Sequence, residues 1–380
     1  MVDRKSKAKI EDIKKTLKAP IVKKDNSINV HSGSVLLNLA LSDTYSKGYQ
    51  QSGMVNIIGD SSAGKTFLAA TMLAEACYNK QFDDYNLVYG IIEKGFKFDT
   101  KKLFGDHFQK RVKLDSNLDS VEDLQVALHK LFAEKKPFIF ILDSFDAMTC
   151  EEETERVEKN IKSRIDGKQV SGSYGMKKNK NYHEIMRTIE GQLMKSNSLL
   201  IVISQTRDNI DPMSFTKKRR NGERALEFYS SAVMWLAIKK KIVKTINGKK
   251  YVVGVKTNVK LSKNRYTGKV REIPITISYE YGIDVLTDCV EYLLSEKVLT
   301  MTGRTITGFE KFEGTQDKLI AHIEESGLEN KLFQLCENTW KEIEEKIAKD
   351  FINRKSRFGE AKKQDREVDR MHTMGRNNRS

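Results

Sequence analysis

The sequence predicts an α/β protein whose core is a mostly parallel sheet. Two patterns predict it. From about residue 33 to 285, short apolar runs alternate with helix-length amphipathic stretches, the signature of strand–helix–strand units. One of these runs, Met54 to Ile58, leads into Gly59-Asp60-Ser61-Ser62-Ala63-Gly64-Lys65-Thr66, and a strong helix former, Phe67 to Ala76, follows. That octapeptide holds every fixed position of a phosphate-binding loop, G-x-x-x-x-G-K-T. A loop between strand and helix turns backbone N–H groups and the positive helix end onto one anion. In such a loop Lys65 reaches the β- and γ-phosphates of ATP and Thr66 holds Mg²⁺.

The remaining elements follow in order. Ile10, Ile13 and Leu17 share one face of a short amphipathic helix over residues 8–18, which Ala19-Pro20 ends. Residues 1–30 therefore read as an N-terminal helical segment and linker, docked on a neighbouring subunit or on its own domain. Strands are expected at Val55 to Ile58, Leu87 to Ile92, Phe138 to Leu142, Leu199 to Ile203 and Ala232 to Ile238. Val252 to Leu261 and Val270 to Ser278 form a hairpin with Tyr266-Thr267-Gly268 at its turn. Helices are expected at 66–79, 120–134, 152–164 and 182–197. Two stretches, Asp166 to Asn181 and Asp208 to Glu223, lack apolar periodicity and read as long loops, which are commonly functional. Helical patterns return in a small C-terminal α/β domain over 285–353. A polar, basic tail over 354–380 has the composition of a disordered segment.

Charge points to a polyanion partner. The chain carries 67 basic and 52 acidic residues among 380, a net charge of +15. Between Asp211 and Glu272 there are 17 Lys or Arg against 4 Asp or Glu, so the excess is concentrated on one region. No apolar run approaches a membrane span, and Met1-Val2-Asp3-Arg4-Lys5 has no secretory character. Cys77, Cys150, Cys289 and Cys336 lie far apart with no C-x-x-C pair, which suits a reducing, cytoplasmic setting.

Three strand ends carry candidate chemistry. Phe138 to Leu142 runs into Asp143-Ser144, where Asp143 is placed to bind Mg²⁺ through water and Ser144 to support it. Leu87 to Ile92 runs into Glu93, placed to orient and deprotonate an attacking water, or else a plain turn glutamate. Leu199 to Ser204 runs into Gln205, which opens the second basic stretch. There it either senses the γ-phosphate and links nucleotide state to loop order, or simply caps the strand.

At this point the chain resembles a known family, the bacterial and phage homologous recombinases of the RecA/UvsX type. The resemblance spans roughly residues 30–350. It is carried by Ser32-Gly33-Ser34-Val35-Leu36-Leu37-Asn38-Leu39-Ala40-Leu41 ahead of the phosphate loop and by Gln205-Thr206-Arg207. Asn221 to Ser231, Lys263-Asn264-Arg265 and Tyr279-Glu280-Tyr281-Gly282-Ile283-Asp284 carry it further. The resemblance implies a RecA-like P-loop ATPase core over 31–284. It implies a DNA-dependent ATPase that forms helical filaments on single-stranded DNA and catalyses pairing and strand exchange with homologous duplex DNA. The implied setting is the bacterial host cytoplasm, with a single-strand-binding protein and a loading mediator as further partners.

Position by position, the resemblance makes Glu93 the catalytic base and Gln205 the γ-phosphate sensor. Lys263 and Arg265 become cations donated to the neighbour's ATP, Phe228 an interface contact, and Tyr279 a neighbour of adenine. Asp166 to Asn181 becomes the first DNA loop, with Lys168, Met176, Lys177, Lys178 and Lys180. Asp208 to Glu223 becomes the second, with Ile210, Met213, Phe215, Lys217, Lys218, Arg219 and Arg220, next to Arg207. Met176, Ile210, Met213 and Phe215 would wedge between bases while the cations hold phosphates. Ile91 stands where many relatives have an aspartate, the second loop is more basic than theirs, and the tail has nine Lys or Arg against four Asp or Glu where theirs is acidic. Two other readings share the loop and the strand ends: a hexameric RecA-fold helicase or motor, and an ATP-stabilised DNA-coating scaffold.

Overall fold

A computed structural model describes residues 29–93, 99–166, 176–208, 218–220 and 224–352, with side chains described at 29–93, 99–166, 183–206 and 226–349. The helix expected at 8–18, Lys168, Ile210, Met213, Phe215, Lys217 and the tail from Arg354 lie outside the described residues.

The centre is a mixed sheet. Apart from it, β1 (Asn29–Val30) and β2 (Tyr49–Gln50) form a small antiparallel pair. In the central sheet six strands run parallel: β3 (Gly53–Gly59), β4 (Asn86–Ile91), β5 (Val112–Asp115), β6 (Phe138–Asp143), β7 (Leu199–Asp208) and β9 (Ala232–Ile246). They lie in the order β9-β3-β7-β6-β4-β5. Beyond β9 the sheet continues antiparallel through β10 (Lys249–Asn264), β11 (Arg271–Ser278) and the short β12 (Gly282–Ile283). The order explains the composition. Strands covered on both faces become continuous apolar runs, and every residue of β3 and β6 is buried.

The two faces belong to different apolar clusters, as period-2 alternation requires. Ile139, Ile141, Leu199, Ile201 and Ile203 face the cluster that holds α1 (Val35–Ser42) and α2 (Lys65–Tyr78). Phe138, Phe140, Leu142, Leu200 and Val202 face the cluster that holds α4 (Val121–Ala133) and α6 (Met176–Lys195). Helix α4 starts at a capping box, Ser120 with Asp123. Two further helices, α3 (Thr100–Arg111) and α5 (Glu151–Ile165), flank the core.

Carboxyl-terminal of β12 come α8 (Val285–Ser295), a three-stranded sheet of β13 (Thr300–Thr302), β14 (Thr305–Thr307) and β15 (Glu313–Gly314), then α9 (Gln316–Ser326), which packs on that sheet, and α10 (Glu329–Ile352). Leu293, Leu319, Ile323 and Leu332 of this module join the same apolar cluster as α1 and α2.

Three expectations are corrected. Strand β9 runs eight residues past Ile238 and turns into β10 at Asn247-Gly248, both with positive φ (51° and 76°). This two-residue Asn-Gly connection favours a type I′ hairpin, and Lys239, Lys240, Lys241, Lys244, Lys249 and Lys250 stand exposed on it. Helix α6 begins at Met176, so Met176, Lys177, Lys178 and Lys180 are helical rather than loop; after Gly175 nothing in Met176 to Tyr182 breaks a helix, and lysine favours one. Lys218–Arg220 forms a short strand, β8, rather than loop. The hairpin at Tyr266-Thr267-Gly268 forms as expected between β10 and β11.

Candidate active site

The phosphate loop is shaped by two glycines. A Cβ on Gly59 would sit 2.5 Å from the Leu236 carbonyl oxygen, and one on Gly64 would sit 2.2 Å from Ile277 Cδ1, with Gly64 at φ 90°. Only glycine satisfies both demands. The loop is also tied down from β10, where the buried Thr257 hydroxyl donates to the Ala63 carbonyl at 3.0 Å. Lys65 opens α2 and turns its ammonium back on the loop, donating to the carbonyls of Gly59 (2.9 Å) and Asp60 (2.8 Å). Burial lowers its pKa, and Asp143, Glu93, Asp60 and Asp146 work against that shift. A cation held among backbone carbonyls and carboxylates, with an adjacent helix N-terminus, is suited to take over a phosphate.

The strand ends meet at the mouth of the loop, as ligand sites do in open α/β sheets. Tyr89 on β4 donates its hydroxyl to Asp143 Oδ2 at 2.7 Å, and Thr66 is a second hydrogen-bond partner of this carboxylate. Burial raises the Asp143 pKa, while those two hydrogen bonds hold it down. Thr66 and Asp143, the expected Mg²⁺ residues, therefore stand side by side. Their hydroxyl and carboxylate oxygens are the hard donors this ion selects, with water and phosphate oxygens completing its shell.

Glu93 Oε1 accepts from the Ser144 hydroxyl at 2.6 Å and from the Gln205 amide. Three residues from three strand ends, each singled out separately in the sequence, thus form one network. Two more participants had no signal of their own. Thr206 donates to Asp60 of the phosphate loop, and Asp146, in a 3-10 turn after β6, accepts the backbone N–H of Gln205.

A second group lies at the end of α7 (Arg224–Tyr229). Lys263 and Arg265 both donate to the Phe228 carbonyl at 2.9 Å, and Lys263 also to that of Glu227. Cations at a helix C-terminus complement its partial negative charge. Arg265 also approaches Glu190 at 3.9 Å. Phe228 itself is 64% exposed, so the three residues make one surface patch. Lys263 lies within β10, beside a register shift between Leu261 and Lys263, and not after the strand as its polarity suggested. Tyr279 is exposed just past β11, with its N–H on the Val253 carbonyl at 3.0 Å.

Among the described residues, the loop cations expected to meet a polyanion fall on two elements. β8 pairs antiparallel with the end of β7, placing Thr206 opposite Arg220, Arg207 opposite Arg219 and Asp208 opposite Lys218. Gln205 immediately precedes this ribbon. Lys177, Lys178 and Lys180 occupy the first turns of α6.

A phosphate loop whose mouth also gathers carboxylates from neighbouring strand ends belongs to a P-loop ATPase. Within that class, the chain belongs to the RecA N-terminal domain family, whose profile matches residues 7–284. It is 24% identical over 286 residues to the protein RecA of Mycoplasma mycoides, covering 74% of this chain and 76% of that one. It is 26% identical over 280 residues to RecA of Mesoplasma florum (72% and 75%) and 26% identical over 277 residues to RecA of Thermus aquaticus (72% and 74%). No helix among the described residues is long and apolar enough to cross a membrane.

Proposed function

We propose that this RecA-family ATPase assembles as a helical filament on single-stranded DNA and uses ATP with Mg²⁺ to pair that strand with homologous duplex DNA, working in the cytoplasm of a bacterial host. One observation carries the reading. Gln205, the residue that opens the basic β7–β8 ribbon, donates directly to Glu93, the acid placed to activate water. Anything that orders the ribbon is thereby felt at the site of hydrolysis.

The chemistry follows from the chain's own groups. Lys65 leaves its loop carbonyls for the β- and γ-phosphates. Thr66 and Asp143 would hold Mg²⁺, which neutralises charge on those phosphates. Glu93, steadied by Ser144, orients a water and takes its proton. Gln205 moves between Glu93 and the γ-phosphate as the ribbon orders. Lys263, Arg265 and Phe228 form the face presented to the next subunit, and Tyr279 contacts adenine. The ladder puts Arg207 and Arg219 in register, and like charges directly opposite each other favour a bound anion. DNA phosphates supply that anion, and the lysines of α6 contribute to the same path. In this arrangement 31–284 acts as the ATPase core and 285–353 as a small appended module.

Electron microscopy and ATPase assays with single-stranded DNA test the proposal together. Helical filaments with a non-hydrolysable ATP analogue, faster ATP turnover on DNA and exchange of strands without unwinding are the expected results. Closed rings that unwind duplex would support the helicase reading, and turnover indifferent to DNA would support the scaffold.

A further inference from the structure

Asp146 has no place in the phosphate loop or among the metal-type ligands, yet it sits where the two halves of the site join. Strand β6 pairs with β7 only as far as Leu142 opposite Val202. Past that point β6 pairs with β4 alone through Asp143 and then enters the 3-10 turn Phe145–Ala147, while β7 continues beside β3 to Gln205 opposite Gly59. The N–H of Gln205 would therefore have lost its main-chain acceptor on the β6 side. The Asp146 carboxylate replaces it, accepting that N–H through Oδ2.

A backbone N–H to a carboxylate is a charge-assisted bond, roughly twice as strong as a neutral one. The consequence is local. With its main chain held by Asp146, Gln205 sends its amide to Glu93, and the next residue, Thr206, sends its hydroxyl to Asp60 of the phosphate loop. Three acids from three different strand ends thus grip two consecutive residues at the root of the basic ribbon. Asp146 grips the backbone of Gln205, from which the side-chain contact to Glu93 and the neighbouring contact to Asp60 extend.

We propose that Asp146 is a positioning residue that couples the β7–β8 ribbon to Glu93, so that DNA bound on the ribbon alters hydrolysis through Gln205. The proposal rests on the DNA-dependent reading above. Removing Asp146 releases the Gln205 N–H on the β6 side while β7 stays paired with β3 and β8, and the Gln205 amide no longer reports ribbon order to Glu93.

The test compares the full-length parent with Asp146→Ala and Asp146→Asn. ATP turnover is measured with and without single-stranded DNA, alongside hydrogen exchange of the segment 199–208. Asparagine keeps a side-chain oxygen able to accept the Gln205 N–H; alanine does not. Asp146→Ala should lose about tenfold of the DNA stimulation, taken as the ratio of turnover with DNA to turnover without it, and exchange faster at Gln205, as expected for loss of one hydrogen bond to a charged group. Asp146→Asn should recover most of both. Equal loss in the two variants would overturn positioning by this hydrogen bond, as would an equal fall in turnover with and without DNA. Should Asp146→Ala not fold, Asp146→Asn against Asp146→Leu gives the same contrast, since leucine matches asparagine in size and has no acceptor. If the parent's turnover ignores DNA, the proposed function fails. The exchange rates still judge the tether in that case, since unchanged exchange in Asp146→Ala would refute it by itself.

Discussion

At the scale of single residues, the site separates binding from chemistry. In the proposed mechanism Lys65 is the group whose charge meets the phosphates; in the structure it rests on the carbonyls of Gly59 and Asp60. Lys65→Ala removes the main counter-charge, so nucleotide binding measured by a fluorescent ATP analogue should be abolished. Glu93 does different work. Glu93→Gln keeps the shape and an oxygen for the Ser144 hydroxyl, so ATP should still bind while turnover falls ~10²–10⁴-fold, the usual weight of a general base. Turnover equal to the parent's would remove Glu93 from its role. Glu93, Asp143 and Gln205 were legible in the sequence because each is the first polar side chain of its kind after a buried apolar run, and parallel strands deliver such ends to one edge. The contacts of Asp60 with Thr206, Asp146 with Gln205 and Thr257 with Ala63 were not legible. Each joins residues distant in sequence, and which of them meet depends on the strand order β9-β3-β7-β6, which apolar periodicity does not encode.

At the scale of elements, apolar runs located the parallel strands because both their faces are covered. The same signal failed where one face or both meet solvent. β9 beyond Ile238 and β10 before Val252 are lysine-rich and exposed, and only Asn247-Gly248 announces that they form a hairpin. The start of α6 and strand β8 escaped because charged runs carry no apolar periodicity. The ribbon makes its own prediction. Neutralising Lys217, Lys218, Arg219 and Arg220 together should flatten the log–log salt dependence of single-stranded DNA binding by up to about 3, since each phosphate contact contributes roughly 0.7. An unchanged slope, measured by fluorescence anisotropy across a salt series, would place the DNA path on other elements.

Helix α8 yields a second prediction at this scale. Its Asp288 is buried against β11 and accepts the Thr276 N–H through both oxygens, at 2.9 and 3.1 Å. Burial nonetheless pushes its pKa from 3.8 up to about 6, with the Thr276 bonds and then Lys256 opposing the shift. A carboxyl raised in the folded state favours folding while protonated. Its contribution is complete below the unfolded pKa and is lost as pH rises through about 6. The loss amounts to roughly 3 kcal/mol at most. Denaturant melts between pH 4 and 7 should show this decline in the parent and a flatter profile in Asp288→Asn. Parallel profiles in the two proteins would assign the pH dependence to other groups.

At the scale of the whole molecule, the question is whether one chain holds a complete catalytic site. Lys263 and Arg265 rest on the end of α7 beside the exposed Phe228, on a surface patch separate from the Glu93 network. If they only cap that helix, changing both to alanine costs a fraction of a kcal/mol and leaves hydrolysis alone. If they serve the neighbour's ATP, they neutralise charge that develops on the transferred phosphoryl group, as cations supplied by a second subunit do. The double variant should then bind ATP as a monomer but lose DNA-stimulated hydrolysis. A head-to-tail assembly makes the two cases separable, because every interface joins the pocket of one chain to the patch of the next. Lys65→Ala protein has a dead pocket and an intact patch; the double variant has the reverse. Mixed in equal amounts at random, about one interface in four pairs the intact pocket with the intact patch. Two proteins that are each inactive should together recover up to that fraction of parental DNA-stimulated turnover. Recovery should rise and then fall as the ratio is varied, with its maximum near equal amounts. If the two proteins co-assemble on DNA and turnover stays at the level of either alone, Lys263 and Arg265 do not act across the interface.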